Sequence, residues 1–225
     1  MFSFYIFVSM LNNTFEVILI LSAYLLGSIP SALWVGKLFY GIDVREFGSG
    51  NAGATNTFRV LGKKAGVPVL IMDIVKGILA ICLAHFSGFA SHSTPLINYQ
   101  IALGIAAVLG HIFPLLAGFR GGKGVATLMG VALAIQPMGA GMALLVFLVV
   151  LAAFRYVSLA SMCAGLSFPF IVLVILHNSP ASLIIFSFMV AALLIITHKK
   201  NIQRLLKKQE PKLKLSKAKV KATKR

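Results

Sequence analysis

The residues able to do chemistry gather in three short stretches. "GSGNAGATNTFR" (48–59) sets Gly48, Gly50 and Gly53 around Ser49 and Asn51, followed by Thr55, Asn56 and Arg59. "HIFPLLAGFRGGKGVAT" (111–127) places Lys123 among Gly121, Gly122 and Gly124 and ends on Thr127. "THKKNIQRLLKKQE" (197–210) carries His198 and Asn201. Glycines let backbone N–H groups converge on an anion, and the N-terminus of a following helix adds partial positive charge. Arg59 can add a bidentate cation and Lys123 a point charge. Two basic glycine loops together point to an anion site, and phosphate is the natural guest.

Several familiar chemistries are excluded. GSGNAG matches the dinucleotide fingerprint G-x-G-x-x-G, but that motif needs a preceding strand and an acid about 20 residues on, on a second strand. Here a membrane-type apolar run precedes it, and Asp73 falls inside a hydrophobic run. The second loop is not a P-loop, because Ala117 and Gly124 stand where Gly and Ser or Thr are required. The chain has no G-x-S-x-G elbow, no H-E-x-x-H and no H-x₄-D pair. Its five carboxylates make paired-acid chemistry improbable, and no metal site or cofactor is expected. Cys82 and Cys163 read as core residues, and His85, His92 and His177 as structural; His111, opening the second loop, more often fits that role too. Catalysis would rest on oriented hydrogen bonds and positive charge.

The elements that hold these stretches are membrane helices. Of 225 residues 59% are hydrophobic and 12% charged, and the mean hydropathy is +0.94, against about a quarter charged in a soluble domain. Apolar runs lie near 14–37, 66–88, 99–118, 124–154, 156–177 and 180–197. The first Lys or Arg is Lys37, so no basic region marks a cleaved signal, and the first run counts as a span. Lys and Arg crowd 38–65, 119–123, 155 and the tail, whereas 89–98 and 177–180 have none. The positive-inside rule puts the first set in the cytoplasm. Lys123 and Arg155 then share a side, so 124–154 must go out and return, turning at Gln136-Pro137. The expected fold is all-α: a polytopic membrane protein of about seven helices, N-terminus outside, C-terminus cytoplasmic, the fourth span short. Gly104, Ala106, Gly110, Gly139 and Gly141 would serve close helix packing. Asp73 and Lys76, i and i+3 in the second span, are either an ion pair beneath the site or substrate contacts. One catalytic domain would cover 1–198 and a basic tail 199–225. Twelve of the 21 Lys and Arg lie after His198, with no aromatic residue for stacking; this favours membrane lipid over nucleic acid as partner.

The three stretches resemble the motifs GSGNxGATN, HxFPxxxxFxGGKGVAT and RHxxNIxRLxxGxE of the bacterial acyl-phosphate:glycerol-3-phosphate acyltransferase family (PlsY). "GSIPSALWVGK" (27–37) and "DIVKG" (73–77) are also similar to it. The third motif departs at Thr197 and Lys208 but keeps His198, Asn201, Arg204 and Glu210. The resemblance implies acyl transfer from acyl phosphate to the 1-hydroxyl of sn-glycerol 3-phosphate, at the bacterial inner membrane, in phospholipid biosynthesis. Ser49, Asn51, the loop backbone and Lys123 would then hold the acyl phosphate. Arg59, His198 and Asn201 would hold glycerol phosphate, with Ser158 and Ser161 as supporting donors. The base is either a substrate phosphate or His198. The enzyme that forms the acyl phosphate is a further candidate partner. A small-anion (phosphate) transporter is the competing class, but the outer half of the spans is almost free of ionisable groups.

Overall fold

The computed structural model describes residues 14–177 and 179–213; the readings made for the extreme N-terminus and for 214–225 lie outside this set. Among the described residues the chain is wholly helical. In order it forms α1 (Thr14–Gly27), α2 (Ser31–Tyr40), α3 (Ala54–Leu61), α4 (Lys63–Cys82) and α5 (Thr94–Ile112). There follow α6 (Val125–Ile135), α7 (Pro137–Phe154), α8 (Val157–Phe170), α9 (Ala181–Thr197) and α10 (Lys199–Leu206). Four of these segments are long and apolar enough to cross a membrane, or six if each of two bent pairs is one span.

The breaks follow the sequence chemistry. The first apolar run, expected to count as one span, is a bent pair: it breaks before Pro30, which lacks an N–H, and α1 and α2 meet at 40°. α5 starts under a Ser93 cap, whose hydroxyl accepts the Leu96 N–H at 3.2 Å, with Pro95 in its first turn. The expected out-and-back segment divides at Gln136-Pro137 into α6 and α7. α6 has 11 residues, roughly 16 Å, about half a hydrocarbon core, which is why it falls short of a full span. α9 turns by 60° into α10 at His198.

The helices pack closely through small residues. α1 and α5 run parallel: Tyr99 Oη donates to Glu16 O at one end, and Tyr24 Oη to Phe113 O at the other, both at 2.8 Å. Between these ties, a side chain at Gly110 would collide with the α1 backbone at Tyr24, so this expected contact is present. Gly104 rests against Val131 and Gly139 against Leu176 and Phe168, and Ala106 is buried. Gly141 faces open space and makes no such contact, a correction to the expectation. A tighter crossing unites α4 and α6, where Gly77 meets the Thr127 carbonyl and Gly130 that of Ile74. Cys82 is likewise corrected: it is exposed on its helix, while Cys163 is partly covered. In a membrane span an exposed thiol faces lipid, so apolarity alone did not place it in the core.

Candidate functional site

The first glycine loop is ordered by Asn56. Its buried amide accepts the Ser49 N–H at 2.8 Å and donates to the Val44 and Phe47 carbonyls at 2.8 and 3.1 Å. Gly48 lies directly over it with φ +64°, a conformation and a closeness that exclude a side chain. Ser49 and Thr55 stand exposed on the rim, and Asn51 is half-buried. α3 then begins after Gly53 and carries Arg59 in its last turn.

The second loop folds back onto the end of α5. Gly121 N donates to Ile112 O and Gly122 N to His111 O, each at 3.1 Å. These two glycines therefore contribute close approach rather than free N–H donors, since a side chain at Gly122 would collide with the His111 ring. The donors left for an anion are the first-turn N–H groups of α6, directly after Lys123 and Gly124. The loops join where Ala52 N reaches Gly121 O at 3.4 Å. Arg45 fastens them further: it pairs with Asp43 at 2.7 Å and donates to Ala117 O at 2.8 Å and Arg120 O at 3.3 Å.

Beneath the loops lies a closed polar cluster. Asp73 takes hydrogen bonds from Ser31 Oγ and Lys76 Nζ, both at 2.9 Å, and His111 Nδ1 lies 3.6 Å away. Lys76 also donates to Ile29 O at 2.9 Å. Asp73 and Lys76 are thus an ion pair bracing the α1–α2 break against α4, one of the two readings left open above.

A second charged corner is built from α8, α10 and the lysine loop. Glu210 collects Asn201 Nδ2 at 2.6 Å, Ser158 Oγ at 2.7 Å and Arg204 Nε at 2.8 Å. Lys123 Nζ donates to the same Asn201 through Oδ1. Burial raises the Glu210 carboxyl, but the three hydrogen bonds and the Arg204 charge outweigh it and hold it below its usual range. Burial lowers Lys123 to about 8, opposed by Glu210 and reinforced by Arg204 and Arg59. Arg59 is lowered by burial while feeling Glu210 and Arg204. Three cations thus surround one carboxylate. His198, 3% exposed, donates Nδ1 to Leu194 O at 2.8 Å, and it interacts electrostatically with Lys123 and Glu210. Ser161 donates its hydroxyl to Val157 O at 2.8 Å within α8.

A narrow apolar cavity of about 60 Å³ lies beside this corner among α6, α7, α8 and α9. Val125, Ser161 and Leu194 line its near end, and Ala132, Ala140 and Phe168 lie deeper. The structure therefore gathers Lys123, Asn201, Ser158, Arg59 and His198 around one corner and commits Asn56 to the loop's own backbone. Sequence reasoning assigned no role to Glu210, Arg204 or Arg45. One signal was available: Glu210 is the sole carboxylate after Asp73, set among cations.

The molecule is thus an all-helical membrane protein with a cationic corner beside an apolar slot. The family model for glycerol-3-phosphate acyltransferase matches residues 17–208. The glycerol-3-phosphate acyltransferase of Listeria welshimeri is 48% identical over 198 residues, covering 88% of this chain and 96% of that protein. That of Bacillus cereus is 46% identical over 200 residues, covering 89% and 96%. The crystal structure of PlsY (YgiH), an integral membrane glycerol 3-phosphate acyltransferase, in its glycerol 3-phosphate form, superposes with a TM-score of 0.79 at 41% identity. It covers 88% of this chain and 96% of its own. The lysophosphatidic acid form gives 0.77 at 40%. The chain belongs to the glycerol-3-phosphate acyltransferase family.

Proposed function

We propose that this protein transfers a fatty acyl group from acyl phosphate to the 1-hydroxyl of sn-glycerol 3-phosphate, giving lysophosphatidate and inorganic phosphate. The observation that carries the reading is the surplus of charge at Glu210, with Lys123, Arg59 and Arg204 around one carboxylate and an apolar slot beside them. A guest with an anionic head and a long apolar tail satisfies both. The solved PlsY structures, in glycerol 3-phosphate and lysophosphatidic acid forms, support the acceptor and the product.

In this reading Lys123, the α6 N-terminus and the Ser49–Asn51 rim hold the acyl-phosphate head, and the acyl chain enters the cavity. Gly48, Gly50, Gly53, Asn56, Gly121, Gly122 and Gly124 shape the loops that bear these groups. Arg59, His198 and Asn201 hold glycerol phosphate, with Ser158 fixing Asn201 through Glu210. The acceptor hydroxyl oxygen attacks the acyl carbonyl carbon. The bond to the phosphate oxygen breaks, and the departing phosphate takes the hydroxyl proton. Cations near the bridging oxygen stabilise the charge that grows there. The site faces the cytoplasm of a bacterial inner membrane, with N-terminus outside and C-terminus inside, as the distribution of Lys and Arg supports. The membrane domain takes its last site residues, Asn201, Arg204 and Glu210, from just past His198.

The test is donor discrimination. Purified protein in lipid nanodiscs should release phosphate and lysophosphatidate from palmitoyl phosphate only when glycerol 3-phosphate is present. Transfer from a thioester donor, with none from acyl phosphate, would overturn the reading.

A further inference from the structure

Glu210 orients Asn201, Ser158 and Arg204, yet it stands beyond the end of α10 at Leu206, and the family match stops at residue 208. Holding a carboxylate on a segment near a chain end costs conformational entropy unless the backbone is fixed on both sides of it. Both sides are fixed. Before it, Lys208 reverses the chain at φ +55°, and Gln209 N donates to Arg204 O at 2.7 Å. After it, Leu213 N donates to Arg155 O at 2.7 Å. Lys212 Nζ lies 5.6 Å from the Tyr156 ring centroid, within cation–π reach.

These partners keep one register. Glu210 meets Ser158, Lys212 meets Tyr156 and Leu213 meets Arg155, so one segment retreats along the chain as the other advances, residue for residue. That is the pairing of two antiparallel segments. It falls on the turn between α7 and α8. Arg155 closes α7 at φ +61°, donating its N–H to Leu151 O at 2.8 Å and leaving its carbonyl to Leu213. Tyr156 is extended and caps α8, with Ser158 in the first turn that follows. Residues 211–213 therefore fasten the end of α10 to the α7–α8 turn across the charged corner.

We propose that residues 211–213 form a clasp that positions Glu210, and through it Asn201 and Arg204, for binding glycerol phosphate. Tyr156, Lys212 and Leu213 are then positioning residues that act through Glu210, and the working domain runs to Leu213. The substrate half rests on the function proposed above; the clasp itself does not.

The experiment uses the full chain in lipid nanodiscs. Hydrogen exchange read by mass spectrometry should find the Leu213 amide slower than an unprotected chain amide. Tyr156→Leu, which removes the ring face under Lys212, should speed its exchange about two- to fivefold, whereas Tyr156→Phe should leave it unchanged. An unprotected Leu213 amide, or equal acceleration by both variants, overturns the clasp. This arm reads the clasp whether or not the acyl-transfer reading holds. In the kinetic arm, Leu213→Pro removes the N–H that reaches Arg155, and Leu213→Ala keeps it. Leu213→Pro should raise KM for glycerol 3-phosphate about two- to tenfold, with kcat, KM for palmitoyl phosphate and the unfolding midpoint unchanged. Leu213→Ala should match the parent chain. An unchanged KM in Leu213→Pro, or the same rise in Leu213→Ala, contradicts the proposal. A fallen midpoint with both KM values raised together would mark a merely structural segment and overturn the positioning role.

Discussion

The Asp73 and Glu210 clusters are each built on one carboxylate, yet they are balanced differently. Asp73 faces one ammonium, one hydroxyl and one imidazole, and its partner Lys76 also reaches a backbone carbonyl. The pair is closed and buried at 2% and 5% side-chain exposure. Glu210 faces three cations in electrostatic contact with one another, beside an apolar slot. The difference separates foundation from site. A neutral cluster needs no further guest, whereas one with surplus charge under partial burial favours an incoming anion.

The contrast breaks most severely at Asp73. Asp73→Ala leaves Lys76 buried and unpaired, and should cost about 3–5 kcal/mol of stability. The thermal unfolding midpoint in detergent would fall sharply, and adding Lys76→Met should restore most of it. Glu210→Gln should instead leave the midpoint within a few degrees and lower kcat/KM by about 10- to 100-fold, because Asn201 and Arg204 lose the group that orients them. If Glu210→Gln destabilised as much as Asp73→Ala, the two clusters would not differ in kind. A smaller effect tests the Lys123 charge. With its ammonium near 8, Lys123 is protonated below that pH and neutral above it. KM for the acyl donor should therefore rise up to about tenfold from pH 7 to pH 9. Lys123→Arg, charged throughout this range, should flatten the profile.

Much of this was readable in the residues. The apolar runs and their Lys and Arg borders set out the helices, and the division of 124–154 at Gln136-Pro137 followed from charge parity and the turn residues. The 40° break at Pro30 was harder to see, because hydropathy does not change across it. The loops were legible as glycine-rich anion sites, but not the uses of their atoms. That Gly121 and Gly122 donate to α5 carbonyls, or that Asn56 ties the first loop, depends on partners far along the chain. Arg45 read as one more interfacial cation, since its partners at Ala117 and Arg120 are more than 70 residues away. Glu210 joins donors from two helices, α8 and α10, the first 52 residues away, a link that sequence spacing does not reveal.

The central claim is that the cations at the Glu210 corner hold substrate phosphate. Its most direct test is steady-state transfer from palmitoyl phosphate to glycerol 3-phosphate by Lys123→Ala and Arg59→Ala in nanodiscs, with unfolding midpoints measured alongside. Each should lose about 10²- to 10³-fold in kcat/KM at an unchanged midpoint, Lys123→Ala toward the acyl donor and Arg59→Ala toward glycerol phosphate. Full activity in both variants would contradict the account.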